Sequence, residues 1–156
     1  MKELYVIYSD QWVCNAGEKS LFLAGPTPRN PEVPSWRPRA LEALKYLNFS
    51  GTVLVPERKD GASNIDYLDQ VEWESNCLNL AKLIVFWVPR NMTTMPALTT
   101  NVEFGYWMAK FPEKVMYGRP EEAQSCRYLD WMYQKEAGGI FTTLELLLTK
   151  AVERLK

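Results

Sequence analysis

Residues 83–88 read LIVFWV, six apolar side chains in a row stopped by Pro89. The run is far too short to cross a bilayer as a helix, which takes about 20 such residues. A strand with one wet face alternates apolar and polar side chains. An unbroken apolar run instead marks a strand covered on both faces, as in the middle of a parallel sheet. Such a sheet needs other strands beside it and helices above and below.

The remaining segments supply them. LYVIY at 4–8, SLFLA at 20–24, TVLV at 52–55 and KVMY at 114–117 are short β-prone runs, the second and third stopped by Gly25-Pro26 and by Pro56. Between them apolar residues recur at helical spacing. One helix is expected after an N-cap at Ser35, through Trp36, Ala40, Leu41, Leu44 and Leu47, and a second from about Asp66, through Leu68, Val71, Leu78 and Ala81. A third is expected behind a cap at Thr99 or Thr100, through Val102, Phe104, Trp107 and Met108. A fourth spans 125–136, and a fifth runs from Leu144 to about Leu155 behind a capping box of Thr142 and Glu145. Residues 57–64 form a polar loop, and 4–8 fits an added edge strand. Alternating strands and helices define an α/β fold with a parallel sheet of about five strands in a three-layer sandwich. At 156 residues, without repeat or linker, the chain is expected to be a single domain over 1–156.

Charge and rare residues narrow the function. Eighteen basic and nineteen acidic residues leave a net charge of −1, so no basic face advertises nucleic acid, and no run is long enough for a membrane. Cys14, Cys77 and Cys126 form no CxxC pair, which argues against zinc and disulfide chemistry and for a reducing, cytoplasmic setting. The chain has no histidine. Acid–base or nucleophilic chemistry therefore falls to carboxylates, Tyr, Lys or Cys.

In open parallel sheets the ligand sits beyond the carboxyl ends of the strands. Three segments qualify: 25–29, 89–103 and the loop after Tyr117. Glu103, at a helix start, gains from the positive helix end, which favours the ionised form a nucleophile needs. It equally fits a first-turn glutamate that only stabilises its helix. Glu72 and Glu74 lie about 200° apart on a helix, so only one can face a given site, and both could belong to a solvated acidic face. Arg29, Arg37 and Arg39, with Trp36 among them, could hold a phosphate or stack on a base, or could be surface residues. Phe86, Trp87 and Trp107 are aromatic enough to sandwich a base and equally suited to a core.

Four segments together, FLAGPTPR (22–29), QVEWE (70–74), LIVFWVPR (83–90) and TTNVEFG (99–105), resemble the nucleoside 2-deoxyribosyltransferase-like family, in its branch of short bacterial and phage proteins. The resemblance covers about 20–120 and more weakly the last helix. It implies a flavodoxin-like or Rossmann-like fold, a homo-oligomer (dimer or higher), a nucleoside or nucleotide as small-molecule partner, and no metal or organic cofactor. It implies that Glu103 attacks C1′ of a 2′-deoxynucleoside and that Glu74 protonates or hydrogen-bonds the departing base. On that basis Gly25, Pro26 and Thr27 are expected to approach the sugar, Thr100 and Asn101 to fix its hydroxyls, Trp36 to stack, and Arg29 or Arg37 to bind a 5′-phosphate. Three departures stand out: Phe22 where relatives carry tyrosine, Lys82 after Ala81 where they carry aspartate, and Pro89-Arg90-Asn91 where many place an aspartate. Base exchange, hydrolysis of a nucleotide with water as acceptor, and nucleotide binding without catalysis all fit this pattern.

Overall fold

The computed structural model describes residues 3–62 and 66–156, so the end of the loop expected at 57–64 lies outside the described residues. Five strands form one all-parallel sheet: β1 (Leu4–Tyr8), β2 (Ser20–Ala24), β3 (Gly51–Val55), β4 (Leu83–Trp87) and β5 (Val115–Gly118). Their order is β1-β3-β2-β4-β5, with the LYVIY strand on an outer edge as expected. Among the described residues five α-helices connect or follow the strands: α1 (Arg37–Tyr46), α2 (Tyr67–Leu80), α3 (Leu98–Lys110), α4 (Arg127–Glu136) and α5 (Leu144–Arg154).

Side-chain alternation along each strand sorts the core into two layers. Phe22, Ala24, Leu54, Ile84, Phe86, Val115 and Tyr117 face α2, α3 and α4, packing on Trp73, Phe104, Trp107 and Leu129. Leu21, Leu23, Val53, Val85, Trp87 and Met116 face α1 and α5, packing on Ala40, Leu44, Leu147 and Leu148. Both strands at the centre, β2 and β4, are buried at every position. This is a flavodoxin-like or Rossmann-like three-layer α/β sandwich. Phe86, Trp87 and Trp107 belong to the core. No helix among the described residues is long and apolar enough to cross a membrane.

Helix starts depart from expectation in three places. Trp36, not Ser35, is the N-cap of α1, although the Ser35 hydroxyl still accepts from the Arg37 N–H at 3.2 Å. The N-cap of α3 is Ala97, held in the left-handed region (φ 57°), which places Thr99 and Thr100 inside the first turn. Thr143 rather than Thr142 caps α5, accepting from the Leu146 N–H at 3.3 Å. Glu145 closes no capping box there; its carboxylate pairs with Arg39 at 2.6 Å. The second helix starts where expected, and Asp66 is its N-cap, accepting from the N–H groups of Leu68 and Asp69.

From β2 the chain passes through α1 to β3 on one side, and from β3 through α2 to β4 on the other side of β2. The connections therefore diverge between β2 and β4. A crevice opens there at the carboxyl ends of the strands, where ligands bind in open α/β sheets.

Candidate active site

A cavity of about 510 Å³ occupies that crevice, within the size range of small-molecule sites. The loop after β2 supplies Gly25, Pro26, Thr27, Pro28 and Arg29; α2 supplies Tyr67, Gln70, Val71 and Glu74; α3 and its approach supply residues 96–100 and Glu103. Phe22, Ala24, Pro56 and Arg37 complete the wall. Glu72 is exposed and absent from the wall, so of the two acidic residues Glu74 is the one facing the cavity.

Glu74 and Glu103 are hydrogen-bonding neighbours. Two carboxyl groups this close share one proton, because burial and mutual repulsion oppose a double charge. Burial, and then the charge of Glu74 and the hydrogen bond to it, push Glu103 up to about 8. Glu74 is also raised by burial, although the Gln70 amide (Nε2 to Oε1, 2.6 Å), Arg37 and the proton offered by Glu103 all favour its charge. The pair therefore holds a proton between its two carboxyl groups, and the upward push is the stronger on Glu103. This corrects the expectation that the helix end keeps Glu103 ionised. Glu103 is the sixth residue of α3, past the first turn to which that effect is confined, and desolvation wins.

Gly25 has φ 142°, and a Cβ there would lie 2.1 Å from the Trp87 carbonyl oxygen and 3.0 Å from the Trp36 ring. Its lack of a side chain is accounted for by the approach of β4 and α1, whatever a sugar requires. Trp36 is buried, donates from Nε1 to the Pro26 carbonyl at 3.0 Å, and is not on the cavity wall. Thr27 and Arg29 are exposed at the rim, and Thr100 is buried against the cavity.

The guanidinium of Arg37 is 1% exposed and committed to the protein. It donates to the carbonyls of Leu23 (3.0 Å) and Gly25 (2.8 Å) and to the Thr27 hydroxyl (2.9 Å), and pairs with Glu57 at 3.2 Å. Arg39 lies outside this cavity on Glu145. Asn101 is absent from the wall as well, its side-chain oxygen being held by Arg90. Arg90 is buried and also donates to the Ser125 carbonyl at 2.6 Å. The loop in which relatives place an aspartate is therefore built here around an arginine that ties the start of α3 to the approach of α4. Lys82 pairs with Glu18 at 2.9 Å where β4 begins, at the far end of the sheet from the cavity.

Gln70, Glu57 and Tyr67 were not singled out in the sequence. Gln70 stands four residues before Glu74, the spacing at which helical side chains meet, and that signal could have found it. Glu57 follows β3 directly after Pro56, at the carboxyl edge where ligands gather.

The fold and cavity define an α/β protein with a paired-carboxyl site at the topological switch point of its sheet. Residues 18–121 match the family model described as nucleoside 2-deoxyribosyltransferase like, and the chain belongs to that family. A search of curated proteins finds no match to it.

Proposed function

We propose that the protein cleaves the N-glycosidic bond of a 2′-deoxynucleoside or its 5′-monophosphate and transfers the sugar through Glu103. The observation carrying this reading is the pair of buried carboxyl groups, Glu74 and Glu103, side by side in the wall of a small-molecule cavity, where burial pushes both upward. Substrate binding moves the shared proton from Glu103 to Glu74. A Glu103 oxygen then bonds to C1′ as the bond from C1′ to the base nitrogen breaks. That electron pair leaves with the base, which takes the proton from Glu74. A second base reverses the sequence: its nitrogen attacks C1′, its N–H proton passes to Glu74, and Glu103 departs as a carboxylate. With water as acceptor the same steps give free deoxyribose from a nucleoside and deoxyribose 5-phosphate from a monophosphate.

Thr100 is placed to meet the sugar, and Arg29 at the rim is the cation available to a 5′-phosphate. Tyr67, Leu68 and Val71 of α2 and Leu98, Val102 and Tyr106 of α3 are exposed apolar residues on the two helices that flank the cavity. They support the reading that a second copy packs over this side in a homo-oligomer.

The test is intact-mass spectrometry after incubation with deoxynucleosides and their monophosphates, with and without a second base. A deoxyribosyl adduct that is absent from Glu103→Gln, or a newly formed nucleoside, is expected. Release of free base and sugar with no exchange would assign the chain to hydrolysis. Turnover that survives Glu103→Gln would overturn the nucleophile.

A further inference from the structure

We propose that Arg37 is a positioning residue of this site: it clamps the loop after β2 and sets a buried positive charge against the Glu74–Glu103 pair. Its role in turnover rests on the glycosyl-transfer reading above, whereas the charge relation does not.

Arg37 opens α1; its Nε, Nη1 and Nη2 each donate, to Leu23, Thr27 and Gly25, and Nη1 also pairs with Glu57. A phosphate clamp needs a free fork of two parallel donors, which this guanidinium no longer offers. A tether, however, needs no charge, and burying a cation costs several kcal/mol. Glu57 answers only part of that cost. It is one-fifth exposed, and the same Oε2 that meets Arg37 also accepts from the Ser35 hydroxyl at 2.8 Å. The rest of the compensation lies across the cavity, whose wall Arg37 shares with Glu74 and Glu103, so that its buried charge favours the ionised form of each.

On the cavity it shares with the pair the ionisable groups are Tyr67 and Glu74 on α2, Glu103 on α3 and Arg29 at the rim, with Cys77 beside Glu74; on its other side stand Glu57, Arg39, Glu42, Lys45, Arg58 and Lys59. Cys77 is pushed up to about 12 by burial and by Glu74, so it stays a neutral thiol. The balance is then one buried cation against Glu57 and a carboxyl pair that carries a single negative charge. Without Arg37 that single charge keeps only the Gln70 amide and the Glu103 proton, while burial and Glu57 oppose it. Both ionisations of the pair then rise, and less of it carries the carboxylate that a nucleophile needs.

The decisive measurement follows the side-chain carboxyl carbons of Glu74 and Glu103 by NMR across pH in 13C-glutamate-labelled protein, assigned with E74Q and E103Q. It needs no substrate. Arg37→Met is expected to raise both ionisations, the lower one by about one pH unit or more. Arg37→Lys, which keeps the charge without the fork, should restore most of that shift. Glu57→Gln should move both ionisations down, because the Arg37 charge is then shared with the pair alone. A folded Arg37→Met with unchanged titrations, or a Lys variant that behaves like Met, reduces Arg37 to a tether and overturns the proposal. If Arg37→Met does not fold, Glu57→Gln decides, and an unmoved pair overturns it. Base-exchange assays on the same proteins separate the two readings: shifted titrations in a wild-type chain that turns over no nucleoside leave the charge relation standing and remove glycosyl transfer.

Discussion

Phe22 is buried on the cavity wall, where the resemblance places a tyrosine beside the nucleophile. A phenolic O–H would favour the ionised form of Glu103; a phenyl ring only adds to its desolvation. The site therefore relies on Glu74 as the partner for its proton, and activity should follow the singly protonated pair. A bell-shaped profile of kcat/KM is expected. Its acid limb marks loss of the second proton, which frees one carboxylate, and its alkaline limb, near pH 8, marks loss of the shared proton on Glu103. Phe22→Tyr should move the alkaline limb downward; a profile identical to wild type would show that position 22 does not reach the pair. Glu103→Gln should lower turnover at least about a thousandfold at every pH. Which carboxylates meet was partly legible in the sequence, because 74 and 103 lie on helices flanking the switch point. The arginines were not legible in the same way. A sequence shows the charge of Arg37 and Asn101's capacity to hydrogen-bond, but not that Leu23, Gly25, Thr27 and Glu57 take up the first and Arg90 takes the second.

At the scale of elements, strands were readable because the central ones carry unbroken apolar runs, buried at every position and closed by glycine or proline. Boundaries were harder, since cap chemistry is shared by neighbouring residues. Thr142 and Thr143 both offer a hydroxyl, and only the observed bond to Leu146 N–H distinguishes them. Thr143→Ala should therefore cost about 1 kcal/mol in urea unfolding, whereas Thr142→Ala should stay within about 0.5 kcal/mol. Equal losses would place the cap elsewhere. The start of α3 had no such signal, because Ala97 is not a capping residue and its left-handed backbone is imposed by the chain around it. Gly25 makes the opposite case. The turn after β2 was legible, but not the crowding that requires glycine. With a Cβ 2.1 Å from the Trp87 carbonyl and an unfavourable φ, Gly25→Ala should cost about 2 kcal/mol or more and disturb the β2–β4 junction. A Gly25→Ala protein as stable as wild type would contradict that contact.

For the whole molecule, holding a pair of carboxyl groups at the junction of its strands has a cost that depends on pH. In the unfolded chain Glu103 titrates near its ordinary value of 4.5, and in the folded protein near 8. Below 4.5 both states hold the proton, and this group does not oppose folding. Between these values the unfolded chain releases a proton that the folded protein keeps, so stability falls as pH rises; above about 8 both states are ionised and the fall stops. The slope approaches 1.4 kcal/mol per pH unit while one such group differs between the states. Glu74, raised in the same direction, adds to the effect. Glu103→Gln keeps a neutral side chain of the same shape and removes the Glu103 term. Urea unfolding of wild type should therefore show stability declining from pH 5 to pH 8, while Glu103→Gln declines less, so that the variant gains on wild type steadily across that window. A stability difference independent of pH would mean that Glu103 is not held protonated in the folded protein. The same variant that loses turnover is thus expected to be the more stable protein at pH 8, because the charge removed is the one the fold must bury for its chemistry.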